Sequence, residues 1–139
     1  GPAIEDKAVR DRLAKWYIQT RGIEVIRMRS MTAMSRGERP GPENSIGKLV
    51  ASFKRQDIAQ FGMDLMDMGG IMQESEASPM SGLFQNAYLE SPGSRIAAGT
   101  DETMRNILAE RVLKLPREPR ADKDVPFNEL KAGTVRSGD

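Results

Sequence analysis

Apolar residues recur every three or four positions along two long stretches and two shorter ones, and glycine or proline closes each stretch. From about Asp6 to Arg36 the apolar positions are Val9, Leu13, Trp16, Tyr17, Ile23, Ile26, Met31 and Met34, which predicts one long helix with Gly22 as its weak point. At about 1.5 Å per residue this helix would be on the order of 45 Å long, so it needs an equally long neighbour to pack against. Gly37-Glu38-Arg39-Pro40-Gly41-Pro42 breaks it. A second helix is expected from Pro42 or Glu43 to Met68, with Ile46, Leu49, Val50, Phe53, Ile58, Phe61, Leu65 and Met68 on its apolar face and Gly69-Gly70 behind it. The short connection makes the two antiparallel. Ile71 to Ser81 reads as a loop, and Gly82 to Ser91 as a short helix ended by Pro92-Gly93.

The clearest start and stop signals flank the last helix. Gly99 suits a tight entry, Thr100 an N-cap, and Asp101 and Glu102 place negative charge where the helix dipole favours it. Met104, Ile107, Leu108, Val112 and Leu115 follow at helical spacing, Arg111 and Lys114 fall in the last turns, and Pro116 ends the run. Beyond it, 117–139 is a tail of mixed charge with Val125, Phe127 and Leu130 as its expected anchors. The pattern therefore predicts an all-α, up-and-down helical bundle over 3–116, with Gly1-Pro2 reading as a tag-cleavage scar.

Composition narrows the chemistry. The 139 residues hold 21 Lys and Arg against 20 Asp and Glu, a net charge of +1, so no global field recruits nucleic acid or an anionic membrane. Cysteine and histidine are both absent, which removes disulfides, Ser-His and Cys-His nucleophile pairs and the usual zinc sites, and leaves carboxylates, Lys or Tyr for proton transfer. No apolar run reaches the roughly 20 residues of a membrane span and no signal-peptide pattern is present, so the expected compartment is the cytoplasm.

Arg95-Ile96-Ala97-Ala98-Gly99-Thr100-Asp101-Glu102-Thr103-Met104-Arg105-Asn106-Ile107-Leu108-Ala109-Glu110-Arg111-Val112-Leu113 resembles the signature near the C-terminus of flavin-dependent acyl-CoA dehydrogenases. The resemblance extends upstream: Pro42-Glu43-Asn44-Ser45-Ile46-Gly47-Lys48-Leu49 is similar to the start of a long helix in the family's C-terminal helical domain, Asp64 to Gly70 to a run ending in glycine, and Phe84 to Ser94 to the aromatic-led approach to the signature. Nearly all of Val9 to Leu130 is covered, and the chain looks like a C-terminal fragment that starts after the first helix of that bundle.

The resemblance implies a parent enzyme that oxidises an acyl-CoA thioester to its trans-2-enoyl product with FAD, is reoxidised by an electron-transfer flavoprotein, and assembles as a homo- or hetero-oligomer, a dimer or tetramer. It places Gly99, Thr100 and Glu102 against the flavin nucleotide and, more weakly, Asp64 and Gly69 against the nucleotide of a neighbouring subunit. Many relatives have Gln where this chain has Glu102, which lacks the amide donor and needs an acceptor contact. No catalytic residue is assigned: members that keep their base in the signature have a carboxylate where this chain has Ala98, so the base is expected on the first helix of the bundle or in another subunit, and the isolated chain is expected to be inactive. The alternative is a helical oligomerisation module, or a base-less partner subunit of a heteromeric dehydrogenase.

Blander readings stand beside these. Thr100 also suits an ordinary N-cap, Asp101 and Glu102 point apart and serve the dipole rather than acid–base chemistry, and Asp64 with Asp67, two carboxylates three apart on a helix, make a poor metal site, so no metal is expected. Trp16, Tyr17 and the nine methionines read as core or interface packing, and Arg10, Arg12, Arg21, Arg27 and Arg29 as a solvated or interface face. Without its first helix the bundle should expose an apolar groove and self-associate or swap domains.

Overall fold

The computed structural model describes residues 1–73, 77–117 and 125–130, and among them it is all-helical, without strands. Helix α1 runs Lys7–Ser35, α2 Asn44–Leu65, α3 Leu83–Ile96 and α4 Asp101–Ile107, the last continuing into a wider π turn over Leu108–Val112. Short 3-10 turns occupy Ala3–Glu5, Asp67–Ile71, Pro79–Gly82 and Phe127–Glu129.

The predicted first helix is present within a residue at each end. Asp6 is its N-cap, its carboxylate accepting from the Ala8 N–H at 2.7 Å, and Gly22 sits inside it without a break. Its apolar positions do not all face one way. Val9, Trp16 and Ser30 are buried, and Ile23 lies nearest the backbone of Gly47 on α2. These four are seven residues apart, a seam that stays on one side of a helix packed nearly parallel to its neighbour. Leu13, Tyr17, Met31 and Met34 are exposed.

Helix α2 is the centre of the bundle and packs most extensively on α3, with α1 and α4 as further neighbours. Contacts that climb α1 descend α2: Arg12 and Trp16 reach Asp57, Lys54 Nζ donates to Thr20 Oγ1 at 2.7 Å, and the Ser30 hydroxyl donates to Asn44 Oδ1 at 2.6 Å. The pair is antiparallel, as the short connection requires. Trp16 and Phe61 meet edge to face with centroids 5.5 Å apart, and Arg12, still partly in solvent, pairs across the helix interface with Asp57 at 2.8 Å. On the other side of α2, Gly62 leaves room for the Phe84 ring at the start of α3, and Arg55 pairs with Glu90 at 2.8 Å near its middle, so α3 also runs against α2.

Three elements differ from the reading of the sequence. Helix α2 ends at Leu65 rather than Met68, and Asp67 turns left-handed at φ +49°, so Asp64 and Asp67 do not share a helix. Helix α3 passes through Pro92 to Ile96. Proline removes the donor that would bond the Tyr88 carbonyl, but the Ser91 hydroxyl donates to that carbonyl at 2.7 Å. The signature helix stops before Pro116. Leu113 N–H bonds Leu108 O at 2.9 Å, Leu115 N–H bonds Ala109 O at 3.0 Å, and Lys114 takes φ +58°. In the tail, Val125 is exposed and Leu130 half-buried, while 118–124 and 131–139 lie outside the described residues. No helix of the described residues is long and apolar enough to cross a membrane.

Candidate functional site

The turn between α3 and α4, with the first turn of α4, holds three of the five candidate binding residues. Ala97 is extended, Ala98 and Gly99 are both left-handed at φ +55° and +105°, and Thr100 returns to extended backbone as the N-cap of α4. Gly99 is where glycine is needed, because a side chain at that φ is strained and its Cβ would strike the Met104 methyl. Thr100 Oγ1 accepts from the Thr103 N–H at 3.2 Å, the cap that the sequence predicts.

Asp101 does more than complement the dipole. It is 3% exposed and its Oδ2 pairs with Arg95, 2.6 Å from Nη2 and 2.7 Å from Nε, across the turn. Arg95 also donates through Nη1 to Gln56 Oε1 at 2.8 Å and lies 4.0 Å above the Phe53 ring. Lys48 Nζ donates to the Arg95 carbonyl at 3.2 Å and to the Gly99 carbonyl. The signal for Arg95 with Asp101 was a cation and an anion six apart across a glycine turn, but pairing them requires knowing how the turn closes. The reach of Lys48 over 51 residues has no local signal.

Glu102 is exposed, with Oε1 3.9 Å from Arg105 Nη1. Its own backbone N–H, then the Thr100 hydroxyl, hold its carboxyl below the ordinary value. Gln56, Pro92, Arg95, Ile96, Thr100 and Glu102 surround an open pocket of about 280 Å³ beside the turn. What this edge offers a ligand is a hydroxyl and an ionised carboxylate. That set suits a group rich in hydroxyl or N–H donors.

Asp64 and Gly69 are elsewhere. Sixteen residues of α2 separate Lys48 from Asp64, about 24 Å along the axis, so the structure does not bring them to the turn within one protomer. Asp64 is exposed in the last turn of α2. Gly69 accepts from Gln85 Nε2 at 3.0 Å through its carbonyl, and a Cβ there would lie 2.8 Å from Pro79 Cγ. Among the described residues no three Asp or Glu side chains gather as metal ligands.

A family profile described as acyl-CoA dehydrogenase, C-terminal domain, matches residues 1–113. The acyl-CoA dehydrogenase IpdE1 of Mycolicibacterium smegmatis is 33% identical over 116 residues, which cover 84% of this chain and 28% of that protein. Among solved structures, the ChsE4-ChsE5 complex from Mycobacterium tuberculosis matches with a TM-score of 0.70 at 19% identity, and the Tcur3481-Tcur3483 steroid ACAD with 0.69 at 20%. Each covers 83% of this chain and 30% of the other, so these two share the fold, and the chain spans less than a third of the length of the proteins that it matches.

Proposed function

Because the chain belongs to the acyl-CoA dehydrogenase family, whose C-terminal domain profile matches it, we propose that it supplies flavin contacts and subunit assembly to a longer polypeptide that oxidises an acyl-CoA thioester to its trans-2-enoyl-CoA. The observation that carries this reading is the Ala97–Thr100 turn with the first turn of α4 behind it, where the signature residues Gly99, Thr100 and Glu102 fall together. The Thr100 hydroxyl and the Glu102 acceptor fit a hydroxyl-bearing part of FAD, and these residues, with Gly99 beside them, would hold it. FAD, when bound, supplies the hydride acceptor of the oxidation. The separation of Asp64 and Gly69 from the turn supports their assignment to the nucleotide of a second subunit. Acyl-CoA and an electron-transfer flavoprotein are the corresponding substrate and electron acceptor.

Ala98 cannot take a proton, so on this reading the base that removes the substrate's α proton would stand on the first helix of the bundle in the longer polypeptide or in another subunit. Ala98 also favours a second reading, a base-less subunit in a heteromeric dehydrogenase. The ChsE4-ChsE5 complex has two different proteins, which supports hetero-oligomeric assembly for this chain, and the steroid ACAD supports a steroid-derived acyl group as the first to try.

The test is the visible absorbance spectrum of the complete polypeptide carrying this sequence, before and after a panel of acyl-CoA thioesters. Flavin absorbance bleached by one of them is the expected result. Bound flavin that no thioester bleaches moves the base-less reading forward, and bleaching only after Ala98→Glu would argue against a base elsewhere in the same polypeptide. Protein that purifies and refolds without any affinity for FAD would overturn the proposal.

A further inference from the structure

We propose that Lys48, with the Arg95–Asp101 pair, acts as a positioning group that shapes the Ala97–Thr100 turn before any ligand reaches it; the consequence for FAD rests on the reading above, the shaping of the turn does not. Two successive left-handed residues are an unfavourable backbone state, and one of them is the alanine at 98. Something outside the turn has to hold it.

Lys48 does so from both sides at once. Its ammonium takes the Arg95 carbonyl in the last turn of α3, where a cation also meets the negative end of the helix, and the Gly99 carbonyl inside the turn. The Arg95–Asp101 pair closes the same span by side chains, from the last turn of α3 to the first residue of α4. Phe53 and Gln56 on α2 fix the guanidinium of Arg95 in turn. Apart from the Arg95–Asp101 pair itself, which joins α3 to α4, these anchors stand on α2, so the α2 surface helps set where Gly99, Thr100 and Glu102 sit before any flavin arrives. Pre-shaping of this kind reduces the ordering that binding would otherwise have to supply.

The experiment has two arms. In the first, amide hydrogen exchange is followed in the 139-residue chain without flavin, for wild type, Lys48→Met, Lys48→Arg and the near-isosteric Asp101→Asn. Lys48→Met and Asp101→Asn should each speed exchange at Thr103 and Met104, whose N–H groups bond Thr100. The acceleration should be about tenfold or more, with the amides of α1 unchanged and part of the loss recovered by Lys48→Arg. In the second arm, flavin affinity of the complete polypeptide should fall by a similar factor in the same variants, with the flavin absorbance of the bound form unaltered. Unchanged exchange at Thr103 and Met104, or equal acceleration of every amide in both variants, overturns the positioning role. Failure of the wild-type polypeptide to bind flavin overturns the proposed function instead, while the first arm still decides whether the turn is held from α2.

Discussion

At Thr100 one hydroxyl serves two neighbours, accepting from the Thr103 N–H and helping to hold the Glu102 carboxyl below its ordinary value. The first role was legible in the sequence because capping is local: a Thr after glycine and before two acids places its oxygen over the third residue on. The second depends on the rotamer of an exposed side chain, for which no spacing rule exists. Thr100→Val removes the hydroxyl, so the Glu102 carboxyl should titrate higher, back toward its ordinary value, which a pH series of carboxyl carbon NMR shifts would read directly. Since Glu102 is depressed in the folded state, its stabilisation is present above the unfolded value and lost as pH falls through the lower folded one. The part of the wild-type advantage over Thr100→Val that comes from this charge should accordingly vanish in acid. A Glu102 titration that Thr100→Val leaves unmoved would mean that its backbone N–H alone holds it down.

Helix α3 shows how an element can outrun its own stop signal. Pro92-Gly93 reads as a terminator by composition, since proline lacks the donor for the carbonyl four residues back and crowds it. Ser91, fully buried, answers the first difficulty with its hydroxyl on the Tyr88 carbonyl, and four more residues of helix follow, carrying Arg95 to where it meets Asp101. Ser91→Ala should then destabilise the chain by about 1 kcal/mol, the usual net worth of one intramolecular hydrogen bond. In a Pro92→Ala background the restored N–H can take that carbonyl, so the same Ser91 change should be milder by about 1 kcal/mol. Urea melts of the four members of this cycle give the coupling, and additive effects would show that the hydroxyl does not stand in for the missing donor. The signature helix was misread for the opposite reason. Its apolar period continues to Leu115, but the backbone widens at Leu108–Val112 and turns at Lys114, and side-chain periodicity does not report the hydrogen-bond register beneath it.

Across the whole molecule, the antiparallel pairing of α1 with α2 followed from two helical periods and a short joint, while the division of α1 into two faces did not. Its apolar residues look like one stripe in the sequence because the 3.6-residue period marks position around the axis and is silent about which neighbour takes which side. In the structure the seam of Val9, Trp16 and Ile23 belongs to α2, and Leu13, Tyr17, Met28 and Met31 lie further round the helix, exposed. Tyr17 and Met28 are 66% and 59% exposed, and Ile18 and Val25 extend the same side to 69% and 53%. Leu13, Tyr17, Ile18, Val25, Met28 and Met31, exposed on one half of a helix of 29 residues, are more than scattered surface hydrophobes produce, even with the Arg21–Glu24 ion pair between Tyr17 and Met28, and water disfavours them in proportion to their area. The chain alone should therefore associate through α1, with a sedimentation mass that rises with concentration above its 15.4 kDa. Tyr17→Glu with Met28→Glu places two carboxylates on this side and none on the α2 seam, so the variant should sediment as a monomer while keeping the helical circular dichroism of the parent. If wild type is monomeric throughout the dilution series, this side is tolerated in water and α1 is no assembly surface. If the double variant associates as before, the contact uses another face, and the exposed Leu83 and Leu89 of α3 become the next positions to charge.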